Sequence, residues 1–302
     1  MFGSVNYYPK KRIDMNKTLI ISALTVLSCN SHALTPVTDH DLSKMTGQAG
    51  ISIELETKVN IAEFRWTDTD QGGSLSVNGI TFGGANKDTF FGRRIGSINP
   101  TDKLDDMRID IDVNSQGTLL VNLGATSTCI GCIGTSPVDF GLSFDSISLG
   151  SADGVSNSTI VSDFSMTGYF TAAFFGITER NGSSQVFGKV SAAVDDLDVK
   201  FDVIGVEIED MFIASGGFLE DQRLGAFDIA NSGVVTRFEM QTVDVPGVDD
   251  ALNIKLYGNA GPGDPIVADM GIGALKVGGA SIGSIEIDNL KLYDTSLTIY
   301  GH

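Results

Sequence analysis

Carboxylates are the commonest side chains in this chain that could do chemistry. Asp68-Thr69-Asp70-Gln71-Gly72-Gly73 places two of them at alternate positions ahead of a glycine turn. That spacing could offer oxygen ligands to a hard cation such as Ca²⁺. Gly79 stands where an EF-hand would carry its closing bidentate Glu, and an Asp-rich turn is also an ordinary way to satisfy backbone donors. Asp105-Asp106, Asp195-Asp196 and Asp249-Asp250 are read as solvated turn residues. Cys129 and Cys132 form Cys-Ile-Gly-Cys in a Ser/Thr/Gly-rich connection. In an oxidising compartment such a pair closes a small disulfide loop; the alternative, a redox dithiol, needs a helix N-terminus to lower one thiol pKa. A zinc site lacks a second cysteine pair or a nearby histidine.

Hydrolytic chemistry finds little support. A glycosidase needs two acids across a cleft, and no pair stands out among so many. A Ser-His-Asp arrangement would depend on His40 or His302, both poorly placed for a rigid base. Gly271-Ile272-Gly273-Ala274-Leu275 has no following helix or phosphate-loop lysine and reads as strand and turn. No catalytic residue and no cofactor other than a cation at Asp68 and Asp70 is expected.

The elements that would position these groups are strands. Ile51, Ile53 and Leu55 alternate with polar residues, as do Met107, Ile109, Ile111 and Val113, Val138 to Phe144, Leu197 to Val203, and Leu252 to Leu256. A period of two with one apolar side indicates antiparallel sheet with one buried and one wet face. Gly72-Gly73, Asn114 to Gly117, Asn181-Gly182, Asn231 to Gly233 and Gly261-Pro262-Gly263 punctuate the runs as turns. One pattern, apolar-x-apolar-x-x-apolar-x-apolar, recurs at Leu75–Phe82, Leu142–Leu149, Phe201–Ile208 and Ile285–Leu292. The extra residue would flip the following side chains unless the strand bulges or bends there.

The N-terminus reads as an address. Met15 to Ala33 has a positive Lys17, a short apolar stretch from Thr18 to Leu27, and small residues at Ser31 and Ala33, the pattern of a secretory signal peptide. Met15 is the expected true start, and residues 1–33 are assigned to the signal peptide. Cys29 follows Val26-Leu27-Ser28, a loose lipobox, so lipid attachment at Cys29 competes with cleavage after Ala33. Beyond residue 33 no run of eighteen apolar residues occurs, so no membrane-spanning helix is expected. The whole chain has 20 basic against 38 acidic residues, a net charge of −18; without residues 1–33 it keeps 16 against 37, or −21. Such acidity excludes a nucleic-acid binder that works by neutralising phosphates. An outer-membrane barrel would need aromatic girdles, whereas aromatics are 8% here, with one Trp, Trp66.

At Leu34 to Leu55 stands LTPVTDHDLSKMTGQAGISIEL. Its core, Asp41-Leu42-Ser43-Lys44-Met45-Thr46-Gly47-Gln48-Ala49-Gly50, followed by Ile51-Ser52-Ile53, resembles a signature found just after the signal peptide in gammaproteobacterial pilus-system proteins of the FilA-like group. The resemblance implies export and a role in a surface filament or adhesion system, and it implies no catalytic residues. Gly47 and Gly50 would free the backbone between a short helix at residues 40–45 and the first strand.

The expectation is therefore an all-β protein, a largely antiparallel curved sheet or β-sandwich with bulges and one short N-terminal helix. Residues 34–50 form a leader segment and residues 51–302 a single β domain. The expected role is a structural or adhesive, non-enzymatic one at the cell surface, with the periplasm as the alternative location. Partners would be other pilus-system or envelope proteins, or a second copy, with no nucleic acid and no integral membrane span. The rival is a β-groove that binds a lipid or other hydrophobic ligand.

Overall fold

A computed structural model describes residues 50–300 apart from 71, 95–99, 127–136, 153–156, 181–182 and 227. The alternating runs form sixteen strands, fourteen of them in a single antiparallel sheet. The helix expected at residues 40–45 lies outside the described residues, as do Cys129 and Cys132.

Two strands organise the sheet. β9 (Asn157–Arg180) has 24 residues and β10 (Ser183–Phe201) has 19, against a usual strand of about five or six. They pair with each other along their length. Their outer sides are shared. The first half of β9 pairs with β8 (Val138–Gly150), and the second half with β7 (Leu119–Ala125). β10 pairs first with β12 (Val234–Val245), then with β11 (Val206–Ser215). β7 and β8 thus lie end to end, and so do β11 and β12.

The same division runs to both edges. β1 (Ile51–Thr57) and β2 (Val59–Thr67) are separated only by Lys58; β1 pairs with β6 (Leu104–Val113) and β2 with β3 (Ser74–Gly83), so β3 and β6 are also end to end. β3 then pairs with β8, and β6 with β7. On the other side β11 pairs with β14 (Ile266–Val277), and β12 with β13 (Val248–Tyr257). β14 pairs with β15 (Ala280–Leu292), and β13 with β16 (Thr295–Ile299). The sheet is therefore an up-and-down meander of eight long runs. Several are interrupted at mid-length by excursions that leave the sheet and return to the same line. Among the described residues the two outermost runs, β1–β2 and β15–β16, do not pair with each other, so the sheet is open.

The excursions supply the tightest core. One, Gly84 to Lys103, holds the small ribbon β4 (Thr89–Phe90) and β5 (Arg93–Arg94). Another, between β11 and β12, holds the helix α1 (Phe218–Leu224), ended by Gly225 in the left-handed conformation. Phe90, Phe218, Leu219 and Ile229 from these excursions pack over Tyr169, Ala193 and Ala214 of the central strands. Phe90 meets the Tyr169 ring edge-on at 5.3 Å, and Phe91 meets Phe218 at 4.7 Å. The fully buried Tyr169 hydroxyl is hydrogen-bonded to Ser232 Oγ. Asp269, also fully buried, accepts the N–H of Leu219 at 2.8 Å, which fixes the start of α1, and the N–H of Asn289 at 2.7 Å.

The apolar-x-apolar-x-x-apolar-x-apolar motif has two structural meanings. In β15 it is a bulge at Asn289 (φ 55°), where the pairing with β14 shifts by one residue; in β3 Gly79 (φ 66°) takes the left-handed conformation at the break while the register with β2 and β8 is unchanged. In β8 the break falls at Asp145-Ser146, whose Asp145 carboxylate fills the space beside Gly79, and the pairing with β9 slips just after it. At Phe201–Ile208 the break is instead the β10–β11 hairpin turn through Gly205. The paired aspartates are corrected by the same geometry. Asp105-Asp106, Asp195-Asp196 and Asp249-Asp250 lie within β6, β10 and β13, not in turns. Asp106 and Asp250 have positive φ, and β10 slips register between Val194 and Asp196, so each pair accommodates an irregularity inside a strand.

Candidate functional site

Register sorts the side chains into two faces. One row crosses all eight runs as Val59, Phe82, Leu142, Met166, Leu197, Met211, Ile272 and Ile285. In the other half Ile51, Ile111, Val121, Phe175, Gly188, Phe238, Leu256 and Thr295 align. Next to it run Val113, Leu119, Ile177, Val186, Met240, Ile254 and Leu297. None of these rows holds a charged residue. They belong to one face, because Met107, Ile109 and Leu123 of one half pack with Phe82, Phe140 and Phe170 of the other.

The intervening rows are polar. Glu63, Asn78, Ser146, Ser162, Lys200, Glu207, Lys276 and Ser281 form one of them. Thr178, Gln185, Gln241, Asn253 and Thr298 form another. Cross-strand hydrogen bonds tie them, such as Asn78 Nδ2 to Ser146 Oγ at 3.1 Å and Asn253 Nδ2 to Thr298 Oγ1 at 3.0 Å. The Tyr169 core sits on this side, so the excursions carrying Phe90 and α1 fold back over the polar face.

On the apolar face Leu104, Met107 and Val138 form a small buried cluster, while most of the three rows stay unburied among the described residues. Of the three rows above Val121 and Gly188 are buried; most inner residues are half-buried, Ile177 is exposed, and Ile51, Val113 and Leu297 are 62%, 55% and 54% exposed. Trp66 and Phe64, near one corner, are also exposed. Large contiguous apolar patches on protein surfaces are often sites of interaction.

The polar face holds an open depression of about 380 Å³, lined by Asp163, Asp198, Lys200, Glu207, Glu209 and Asp210 among others. Beside it carboxylate oxygens of Asp196, Asp198 and Asp210 lie within 4.8 Å of one another. Burial, then the neighbouring Asp198, pushes the Asp196 carboxyl above the usual carboxylate range. Asp198 accepts the Asp210 N–H at 2.9 Å, and Lys276 is ion-paired with Glu207 and Glu209. Three converging carboxylates fall short of the six to eight oxygens a Ca²⁺ ion takes.

The sequence-derived candidates are dispersed. Asp68 serves its own turn: its N–H donates to Gly73 O at 2.8 Å, and its Oδ1 accepts the Asp70 N–H at 2.9 Å. Asp41, Leu42, Thr46, Gly47, Gln48 and Ala49 of the signature lie outside the described residues. Gly50 is described and leads into β1, where a Cβ would press on the Ile111 carbonyl oxygen at 2.6 Å. Asp195 is held by Lys87 Nζ at 2.6 Å and by the Phe91 N–H, a structural role for one of the paired aspartates. The Asp196–Asp198–Asp210 cluster had only a partial signal, the Asp195-Asp196 pair; its third member comes from a different strand.

Residues 13–115 match a family of unknown function (DUF6160). No curated protein and no solved structure matches the chain. No described helix is long and apolar enough to cross a membrane.

Proposed function

We propose that this chain is an exported envelope protein with a structural or adhesive role in a pilus-like surface system, working through contacts and not through catalysis. The observation that carries this reading is the charge-free apolar face, which crosses eight runs and, among the described residues, stays largely unburied along its rows. A sheet face of that character needs another surface against it. The leader pattern at residues 15–33 and the Thr46-Gly47-Gln48-Ala49-Gly50 signature support export and a surface assembly.

A carrier of lipid or another hydrophobic ligand is the second reading, favoured by the same apolar face. Small hydrophobic ligands are usually enclosed over most of their surface. The depression beside Asp198 and Asp210 is lined by charged and polar groups, which suits such a ligand poorly. A broad, half-exposed face suits a protein surface better.

The test is location in the native bacterium. Intact cells are sheared and fractionated, and the protein is followed by antibody with and without protease. Release by shear and cleavage on intact cells is the expected outcome. Retention in protected periplasm would sink the surface role and favour the carrier.

A further inference from the structure

We infer that the apolar face is covered by the same face of a second copy, giving a two-layered homodimer whose polar faces point outward. This inference rests on the reading of that face as a contact surface, and it names the partner.

Area is the first argument. Eight strands spaced about 4.8 Å apart, in runs of about twenty residues at about 3.3 Å each, make a face of roughly 2,000 Å². Pairing only half of it with a copy would bury about 2,000 Å² in total, where obligate homodimer interfaces begin. A two-fold arrangement requires a self-complementary patch, and rows that are mostly aliphatic and aromatic and hold no charge meet that requirement without charge matching. Two sheets packed this way lie about 10 Å apart, with side chains such as Phe175 and Phe238 interdigitating between them.

Other occupants fit less well. Residues 34–49, the part of the chain between the expected cleavage point and the described strands, number sixteen; fully extended they make one strand about 53 Å long and about 4.8 Å wide, which would cover roughly an eighth of the face. A lipid surface is ill matched, because the rows offer no Lys or Arg to headgroup phosphates and the chain carries −18 overall. The acidity does not oppose pairing. The charges of each copy stand on its outward face, separated by two sheets, a distance beyond the screening length of about 8 Å at physiological salt.

Leu297 and Ser296 are neighbours on β16 that register places on opposite faces. The experiment measures mass by sedimentation equilibrium of the full processed chain and of Leu297→Asp, Ile177→Asp/Leu297→Asp and Ser296→Asp. Wild type and Ser296→Asp should be dimers at micromolar concentration. The double variant should dissociate at least about 100-fold more readily, as expected when one central apolar contact, Ile177, and one at the edge, Leu297, are replaced by charge. Because the double variant could fail to fold, hydroxyl-radical footprinting of the wild type provides a second measurement. Labelling of Ile177 and Leu297 should fall as concentration rises, while that of Tyr293 stays constant. A monomeric wild type, a concentration-independent footprint, or equal weakening by Ser296→Asp would overturn the inference. So would a monomer that binds lipid in native mass spectrometry, or one whose apolar face becomes labelled only when residues 34–49 are removed. A dimer confined to the periplasm would sink the surface role and leave the pairing intact; a monomer released by shear would do the reverse.

Discussion

Buried carboxylates on the polar face are set into specific backbone donors, and the charge state of one of them, Asp139, ties stability to pH. Asp139 is 4% exposed and accepts the Ala85 N–H at 2.7 Å, anchoring the excursion that carries Phe90. Burial holds its carboxyl above the ordinary value of 3.8, and the Ala85 bond only partly offsets this. The folded state therefore keeps a proton that the unfolded chain releases near 3.8. Stability from this group is fully present below 3.8 and is lost as pH rises through the higher folded value. Asp139→Asn keeps an acceptor for Ala85 without the charge. It should be more stable than wild type at pH 7, and the advantage should shrink as pH approaches 4. Urea unfolding of both proteins between pH 4 and 7 checks this; a difference that does not change with pH would show that desolvation of Asp139 is not the cause. Gly271 shows the steric counterpart at single-residue scale: the Phe212 ring lies where its Cβ would stand, and that ring packs on Phe91 and Phe218.

Among the elements, the long strands hold their faces by inserting bulges. Asp106, Asp163, Asp210, Asp250 and Asn289 all have φ between 50° and 60° inside strands. Asp and Asn enter the left-handed region more readily than other residues with a side chain, because their short polar groups bond locally. Each bulge lets an otherwise strict period of two skip a residue without turning the apolar set to the wrong side. Asp163 is exposed, so substitution there tests backbone conformation and not burial. Asp163→Val should cost about 1–3 kcal/mol, and Asp163→Gly should be neutral or mildly stabilising. Equal effects of the two in chemical denaturation would mean that side-chain contacts, not φ, matter at this position. Several apolar positions named by periodicity fall on the apolar face, including Ile51, Ile109, Phe82 and Ile254. The helix at Phe218 to Leu224 was not legible. It is seven residues long, and its start is set by Asp269, a residue fifty positions away from Leu219.

At the scale of the whole molecule, one layer of eight long runs has to keep an apolar face in water. A solitary sheet cannot bury both sides, and here the excursions close part of the polar side. If a second copy closes the other side, folding and association are linked, and stability depends on protein concentration. The midpoint of thermal unfolding should therefore rise when the chain is concentrated from about 1 to about 100 µM, and the rise should disappear in Ile177→Asp/Leu297→Asp. A midpoint independent of concentration in the wild type would argue that each copy folds as a complete unit. The net charge of −18 acts in the same frame, keeping the outward faces soluble.

The sequence by itself determined the antiparallel strand class, the wet and apolar sides of many strands, and the irregularities at Gly79 in β3 and Asn289 in β15. These are local properties: side-chain alternation follows from the pleat, and turn residues from their own φ. Only the tertiary structure decided which rows join. That β7 continues into β8, β11 into β12, and β3 into β6 depends on pairing with β9, β10 and the β1–β2 run, contacts between residues far apart in the chain. The same long-range register separates a sandwich, which the alternation equally allowed, from one open sheet with a largely unburied apolar face. It also gathers Asp196, Asp198 and Asp210 onto one spot, while at the more conspicuous Asp68 and Asp70 the Asp68 carboxylate accepts the Asp70 N–H within its own turn. Alternation records only that each strand has an apolar side. What lies against that side is a property of pairing and association, which no local pattern encodes.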